Sequence, residues 1–399
     1  MPLRDPAVPV RGTVPEVFLA FLKLGLTSFG GPVAHLGYFR DEFVLRRGWL
    51  DEAAYADLVA LCQFLPGPAS SQVGFALGLM RAGWGGALAA FLAFTLPSAV
   101  ILFALALTAT RLDGPVALGV LHGLKLVAVA IVAQAVWGMA RSLCPDAPRA
   151  TIAVLAVAVL AVAPGSAGMM LAIAAGAAAG LVLNRAGPGH GRVLPVPVSQ
   201  GAAVAAVAVF VVLLIALSAL SGLGQGFALA DGFYRAGAMV FGGGHVVLPL
   251  LETATVQTGW VSEDSFLAGY SAAQAVPGPL FTFAAWLGAV MGPAPNGPVG
   301  AMIALLALFL PGFLLLICAL PFLDRLRSQR RVQSAMQGAN AAVVGILGAA
   351  LHDPVFTSAI SGMTDFALAL AGFVALVAWK APPWSIVLLG AASGAALSL

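Results

Sequence analysis

Residues 63–72 read QFLPGPASSQ and residues 274–283 read QAVPGPLFTF, and this shared Gln-x-x-Pro-Gly-Pro pattern, set in apolar surroundings, decides how the chain folds. Proline removes a backbone donor and glycine tolerates positive φ, so a helix entering either stretch has to stop or turn. Two other apolar stretches are broken in a similar way, SFGGP at 28–32 and FGGGH at 241–245. In lipid, broken backbone persists only where protein or a water-filled cavity surrounds it. A kink or a glycine packing seam would account for any one break, but four in matched positions ask for a common cause.

The match extends well beyond the breaks. Lys23, Gly25, Phe29, Gly30 and Gly31 recur as Arg235, Gly237, Phe241, Gly242 and Gly243 at an offset of 212. Trp49, Gln63, Pro66, Gly67 and Pro68 recur as Trp260, Gln274, Pro277, Gly278 and Pro279 at an offset of 211. Pro97 pairs with Pro311 at 214 and Gly123 with Gly338 at 215, so small insertions shift the register slowly. The chain is an internal duplication of about 170 residues. We divide it into a cytoplasmic tail at 1–13, a first repeat at 14–184, a basic loop with a linker helix at 185–225, and a second repeat at 226–399.

Composition fixes the surroundings. Of 399 residues, 61% are hydrophobic and 9% charged, and mean hydropathy is +1.00. A soluble chain needs about a quarter of its residues charged, so lipid has to cover most of this one. A net charge of +3, scattered among loops, excludes a nucleic-acid partner and reads as a topology signal. Cys62, Cys144 and Cys318 are odd in number and far apart, which gives neither a disulfide framework nor a metal site. No Walker A loop, HExxH or paired catalytic motif is present. No enzyme activity, cofactor or ATP-driven pumping is therefore expected.

Unbroken apolar runs lie at 86–110, 116–140, 150–163, 166–184, 202–220, 299–322, 332–351, 365–379 and 384–398. Most are long enough to cross a hydrocarbon core roughly 30 Å thick. The expected fold is an all-α integral membrane protein of two repeats, with about nine crossings and four interrupted hairpin segments. Loop charge orients the repeats. The loop at 40–52 carries Arg40, Arg46 and Arg47, whereas its counterpart at 252–263 has no Lys or Arg. The bias reverses at 323–331, with Arg325, Arg327, Arg330 and Arg331, against Arg111 alone in the counterpart. Cytoplasmic loops concentrate such residues, so the copies are expected in inverted topology, amino terminus inside and carboxyl terminus outside. The run GAAAG at 176–180 suits close helix contacts, within the chain first and between protomers of a homodimer second.

Inverted repeats with paired broken helices are a recurring design of secondary transporters, whose substrate site lies at the repeat interface near the midplane. The helices starting after each PGP, at Ala69, Ser70, Ser71 and Gln72 and from Leu280, aim free N–H groups there, which attract anions. Lys23 and Arg235 lie inside apolar stretches at one repeat position and add positive charge, against the alternative that each snorkels to an interface. His122, His245, Asp57 and Glu252 are candidate proton carriers, with hydrogen-bonded structural roles as the competing reading.

The strings FLKLGLTSFGGPVAHLGYFRDEFV and WLDEAAYADLVALCQFLPGPASSQVG, with their second-copy forms FGGGHVVLPLLE and AQAVPGPLFTFAAWLG, resemble the chromate ion transporter family in its long, two-domain form. The resemblance spans nearly the whole chain. It implies export of chromate across a bacterial inner membrane, driven by membrane potential or a proton gradient, with chromate resistance as the outcome and sulfate as a close analogue. It also implies that the glycine and PGP motifs, here Gly30, Gly31, Pro66, Gly67, Pro68, Gly242, Gly243, Pro277, Gly278 and Pro279, are the working parts. From the residues alone, sulfate uptake and an anion channel stay open.

Overall fold

The computed structural model describes residues 12–29, 31–109, 114–183, 198–240, 246–322 and 329–398. These residues are helical with no strand among them. The first repeat contains α1 (Val14–Thr27), α2 (Gly31–Phe39, extended by a wide turn at Arg40–Arg46), α3 (Glu52–Phe64), α4 (Ala69–Ala109), α5 (Pro115–Leu143), α6 (Ala147–Val162) and α7 (Ser166–Leu183). The segment read from sequence as a linker holds α8 (Gln200–Leu220). The second repeat contains α9 (Gln225–Met239), α10 (Val247–Thr255), α11 (Glu263–Ala275), α12 (Phe283–Val290), α13 (Gly297–Ala319), α14 (Arg330–Ala350), α15 (Met363–Val377) and α16 (Pro383–Leu397).

Helix boundaries follow local chemistry. Asp51 caps α3 by accepting from the Ala54 N–H at 2.8 Å, and α3 stops at Leu65 because the two prolines and Gly67, at φ +121°, cannot continue it. The second PGP behaves alike, with Gly278 at φ +107°. α4 is one helix only in name, since Ala82 and Gly83 leave helical geometry and split it near the point where the second repeat has the connection 291–296. Each of the nine unbroken apolar runs falls on a helix, and the α6–α7 pair closes at Gly165, φ +84°.

Five helical stretches, 69–108, 118–143, 200–223, 297–322 and 330–359, are long and apolar enough to cross a bilayer. α8 shows what surrounds the protein: its mean hydropathy is 3.0, yet Val204, Val212 and Ile215 stay more than 60% exposed. Such a surface is what a helix facing lipid presents.

The repeats exchange their last helices. α7, which ends the first repeat, packs on α14 of the second, and α16, which ends the second, packs on α5 of the first. Glycine makes both seams possible. A Cβ on Gly176 would sit 2.7 Å from the Gly338 carbonyl oxygen, and one on Gly123 would sit 2.0 Å from that of Gly390. Gly123 and Gly338 are repeat equivalents, as are Gly176 and Gly390, so the duplication is preserved at the level of contacts. The GAAAG run is thus used within the chain.

Polar contacts collect toward the ends of the helices. Near the start of α5, His122 Nε2 lies 2.9 Å from Asp365 Oδ1, and Lys125 donates to Asp264 at 2.8 Å and to the Ser358 carbonyl at 3.3 Å. At the other end of α5, about 30 Å away at 1.5 Å per residue, Asp146 and Arg149 pair at 2.7 Å beside Gly180 and Ser334. The wide turn after α2 forms a third group, in which Glu42 accepts from Arg47 at 2.6 Å, from Lys23 at 3.4 Å and from Arg46. Arg81 reaches Glu16 at 3.0 Å, and Trp49 lies under both Arg47 and Arg81.

Candidate functional site

Each PGP turn makes a backbone hydrogen bond to the other repeat. The Gly67 N–H donates to the Val240 carbonyl at 2.8 Å, and the Gly278 N–H donates to the Ser28 carbonyl at 2.9 Å. Ser28 and Val240 are repeat equivalents immediately before the two glycine motifs, as Gly67 and Gly278 are within PGP. Each PGP turn is therefore bonded to the residue that precedes the other copy's glycine motif. Prolines flank both glycines and have no N–H, so Gly67 and Gly278 supply the single backbone donor of each turn. The third wall is also equivalent. A Cβ on Gly67 would lie 2.8 Å from Gly312 Cα, and one on Gly278 would lie 2.7 Å from Ser98 Oγ.

The junctions share geometry but not chemistry. Beside the Gly278–Ser28 junction, His35 Nδ1 lies 3.5 Å from Ser70 Oγ, and the imidazole also neighbours the Ser28 backbone. His35, Ser28, Ser70, Ser71 and Thr95 are all at most 3% exposed. Ser28 Oγ, His35 Nε2, Ser71 Oγ and Thr95 Oγ1 have no hydrogen-bond partner among the described residues. A buried unsatisfied polar group costs about 1–3 kcal/mol, so four in one region call for a reason. The second-repeat equivalents are Val240, Val247, Phe281, Thr282 and Phe309, and all but Thr282 are apolar. Thr282 Oγ1 is satisfied, donating to the Pro279 carbonyl at 2.7 Å.

The helix starts differ as well. α4 begins at once after PGP, its first in-register bond running from the Gln72 N–H to the Pro68 carbonyl at 2.9 Å. This leaves the N–H groups of Ala69, Ser70 and Ser71 without a helical acceptor. The second start is wound more tightly over Leu280–Thr282, and Thr282 N–H is already bonded to Pro279. At the Gly67 junction Gln72 Nε2 donates to the Pro66 and Gly312 carbonyls at 2.9 and 2.8 Å, and its Oε1 has no partner among the described residues.

The other residues singled out from sequence are placed as follows. Gly67, Pro68, Gly278 and Pro279 are buried in the junctions, with Pro66 and Pro277 half-buried beside them. Gly31 opens α2 at φ +77°. Gln63 is exposed, whereas its equivalent Gln274 is 8% exposed. Lys23 ends on Glu42, and Arg235 ends on Asp231, at 2.9 Å, and on Ser218. Asp57 is half-buried on α3, and His122 is engaged with Asp365. Glu252 is 9% exposed and accepts from Gln257 at 3.1 Å. Gly30, Gly242, Gly243 and His245 lie outside the described residues. Among the described residues no group of His, Cys, Asp and Glu is arranged to hold a metal ion.

Sequence reasoning missed His35. Its signal was weak, a single histidine four residues after Gly31 with a valine at the equivalent position, Val247. Its significance appears only once Ser70, 35 positions away, is beside it.

Comparisons with known proteins agree on one family. A family model described as "Chromate transporter" matches residues 15–181 and 227–395, one match per repeat. A chromate transport protein of Pseudomonas aeruginosa is 31% identical over 94% of this chain and 89% of its own. A probable chromate transport protein of Synechococcus elongatus is 28% identical over 90% and 88%. An uncharacterized transporter of Methanocaldococcus jannaschii is 25% identical over 83% and 82%. No solved structure matches the chain.

Proposed function

The chain belongs to the chromate transporter family, and from that premise we propose that it exports chromate from the cytoplasm as a secondary carrier, using the paired PGP junctions as its moving parts. It is a multi-pass protein of the bacterial inner membrane. The observation that carries the proposal is the reciprocal pair of backbone bonds, Gly67 to Val240 and Gly278 to Ser28. Each copy's turn rests on the other copy through one N–H donor between two prolines. Rocking one repeat against the other would therefore open one junction's surroundings and close the other's, the motion alternating access requires.

Inverted topology has support in the contacts. The turn at 40–46 gathers with Glu16 and Arg81, at the start of the second half of α4. That half then runs about 40 Å, at 1.5 Å per residue, toward the start of α5. The helix that follows the equivalent second-repeat loop, α11, reaches the first half of α5 through Asp264, which accepts from Lys125. These contacts support a reading in which equivalent loops face opposite sides. We place the arginine-rich end in the cytoplasm by the positive-inside bias.

In this reading the glycine and PGP residues, with Gln63, Gln274, Ser70 and Ser71, surround the dianion. Lys23 and Arg235 supply positive potential on its route while their carboxylate partners hold them. Membrane potential favours outward movement of a dianion by about 2.3 kcal/mol per charge per 100 mV, and Glu252, Asp57, His122 and His245 are the proton carriers if a proton gradient contributes. The test is uptake of radiolabelled chromate and sulfate into inside-out vesicles, with and without an imposed potential or proton gradient. Concentrative chromate uptake that collapses with the gradient, and that drops at least tenfold in Lys23→Gln and Arg235→Gln, supports the proposal. Flux that only follows the anion gradient would make the protein a channel, and sulfate uptake without chromate uptake would make it a sulfate carrier.

A further inference from the structure

The duplication predicts two equivalent anion seats, one at each junction, and the side chains deny it. We infer that the chain binds its oxyanion at a single seat, at the Gly278–Ser28 junction, where His35, Ser28, Ser70, Ser71 and Thr95 supply the donors together with the first amides of α4. The inference rests on the transport reading above and goes further, naming the residues that contact the substrate and the half of the molecule they come from.

Three independent features point there. First, the side-chain donors are buried and unpartnered: Ser28 Oγ, His35 Nε2, Ser71 Oγ and Thr95 Oγ1 have no partner among the described residues. Groups removed from water and left without protein partners are what a ligand completes. Second, α4 starts with three amides that no helical acceptor takes, and the hydroxyls of Ser70 and Ser71 stand on that same turn. Third, the equivalent region of the second repeat is closed to an anion. Val240, Val247, Phe281 and Phe309 replace the four donors Ser28, His35, Ser70 and Thr95, and the hydroxyl of Thr282, which replaces Ser71, is spent on the Pro279 carbonyl.

The division of labour is physical. Hydroxyls, an imidazole N–H and backbone amides hold a tetrahedral oxyanion by directed hydrogen bonds without a fixed counter-charge, which leaves it able to depart. The apolar junction keeps the same backbone geometry and serves as a hinge. Lys23 and Arg235, engaged with Glu42 and Asp231, stand outside this donor set. The ligand class is a small tetrahedral dianion, and chromate and sulfate both belong to it.

The experiment compares equivalent positions. Purified full-length protein in detergent is titrated with radiolabelled chromate and, separately, sulfate, for the wild type and for Ser71→Ala, Ser70→Ala, His35→Gln, His35→Val and Thr282→Val. The expected result is an increase in Kd of at least tenfold for Ser70→Ala and Ser71→Ala and a change below twofold for Thr282→Val. His35→Gln, which keeps a side-chain amide donor, is expected to lose less than His35→Val, which copies the second repeat. Thermal melting of every variant within a few degrees of wild type keeps misfolding from imitating the result. Equal losses at Ser71 and Thr282 would overturn the single seat, as would near-wild-type binding by Ser70→Ala, Ser71→Ala and His35→Val together. If the wild type binds neither chromate nor sulfate, the transport reading itself falls and this inference with it. Binding by the wild type with unaffected variants leaves that reading standing and removes only the single seat.

Discussion

Replacing Gly67 by alanine strains the Gly67–Val240 junction in two ways that add. The backbone stands at φ +121°, where an L side chain costs about 1–2 kcal/mol. The new Cβ would also lie 2.8 Å from Gly312 Cα, well inside ordinary carbon contact, and overpacking of this kind costs about 1–3 kcal/mol. Gly312 has no side chain to move aside, so the backbone itself has to yield. The total is about 2–5 kcal/mol against the seated junction. Gly278→Ala meets similar φ strain at +107°, but its new Cβ faces Ser98 Oγ at 2.7 Å, and a hydroxyl can rotate away. It should cost about 1–2 kcal/mol less than Gly67→Ala. Ser98→Gly, which copies Gly312, should recover the contact part of the Gly278→Ala loss and none of the φ part. The assay is apparent melting temperature in detergent at one fixed scan rate, since membrane proteins of this size unfold irreversibly, alongside initial chromate flux in vesicles. Gly67→Ala should be the more damaging in both. Wild-type melting and flux in Gly67→Ala, or no recovery on adding Ser98→Gly to Gly278→Ala, would refute the seated-turn geometry.

The remaining predictions concern the seams and the charged turn. Gly123→Leu and Gly176→Leu, each facing a backbone carbonyl of the other repeat, should each destabilise by more than about 3 kcal/mol, read as loss of monodisperse protein on gel filtration; tolerance of both would show that the exchanged-helix seams are open. Burial raises the Glu42 carboxyl, but hydrogen bonds from Arg47 and Arg46 outweigh it and leave the group below its ordinary value near 4.5. A lowered carboxyl stabilises the fold fully above the unfolded value and loses that contribution as pH falls through the folded one. Melting temperature should therefore hold from pH 8 to about 5 and decline below about 4, and Glu42→Gln should start lower and show a shallower acid decline. A decline with the same slope in Glu42→Gln would remove Glu42 as its source.

The residues themselves wrote much of the architecture. Each PGP ended a helix, each apolar run became one, and the offsets of 211–215 reappeared as equivalent contacts, because helix continuity and its interruption depend on neighbours within a few positions. The sequence could also count four breaks and pair them as copies. It could not say that Gly67 docks on Val240 and Gly278 on Ser28, or that α7 belongs against α14 and α16 against α5. Those partners are separated by well over a hundred residues, and close approach of glycine backbones leaves no periodic mark on composition. Lys23 and Arg235 looked like isolated cations in apolar stretches, yet Glu42 and Asp231 sit beside them. His35 looked like an ordinary histidine until burial removed water from its ring and left one nitrogen without a partner among the described residues. Whether a polar atom is satisfied is a property of everything packed around it, and so only the tertiary structure could separate the donor-lined junction from its apolar twin.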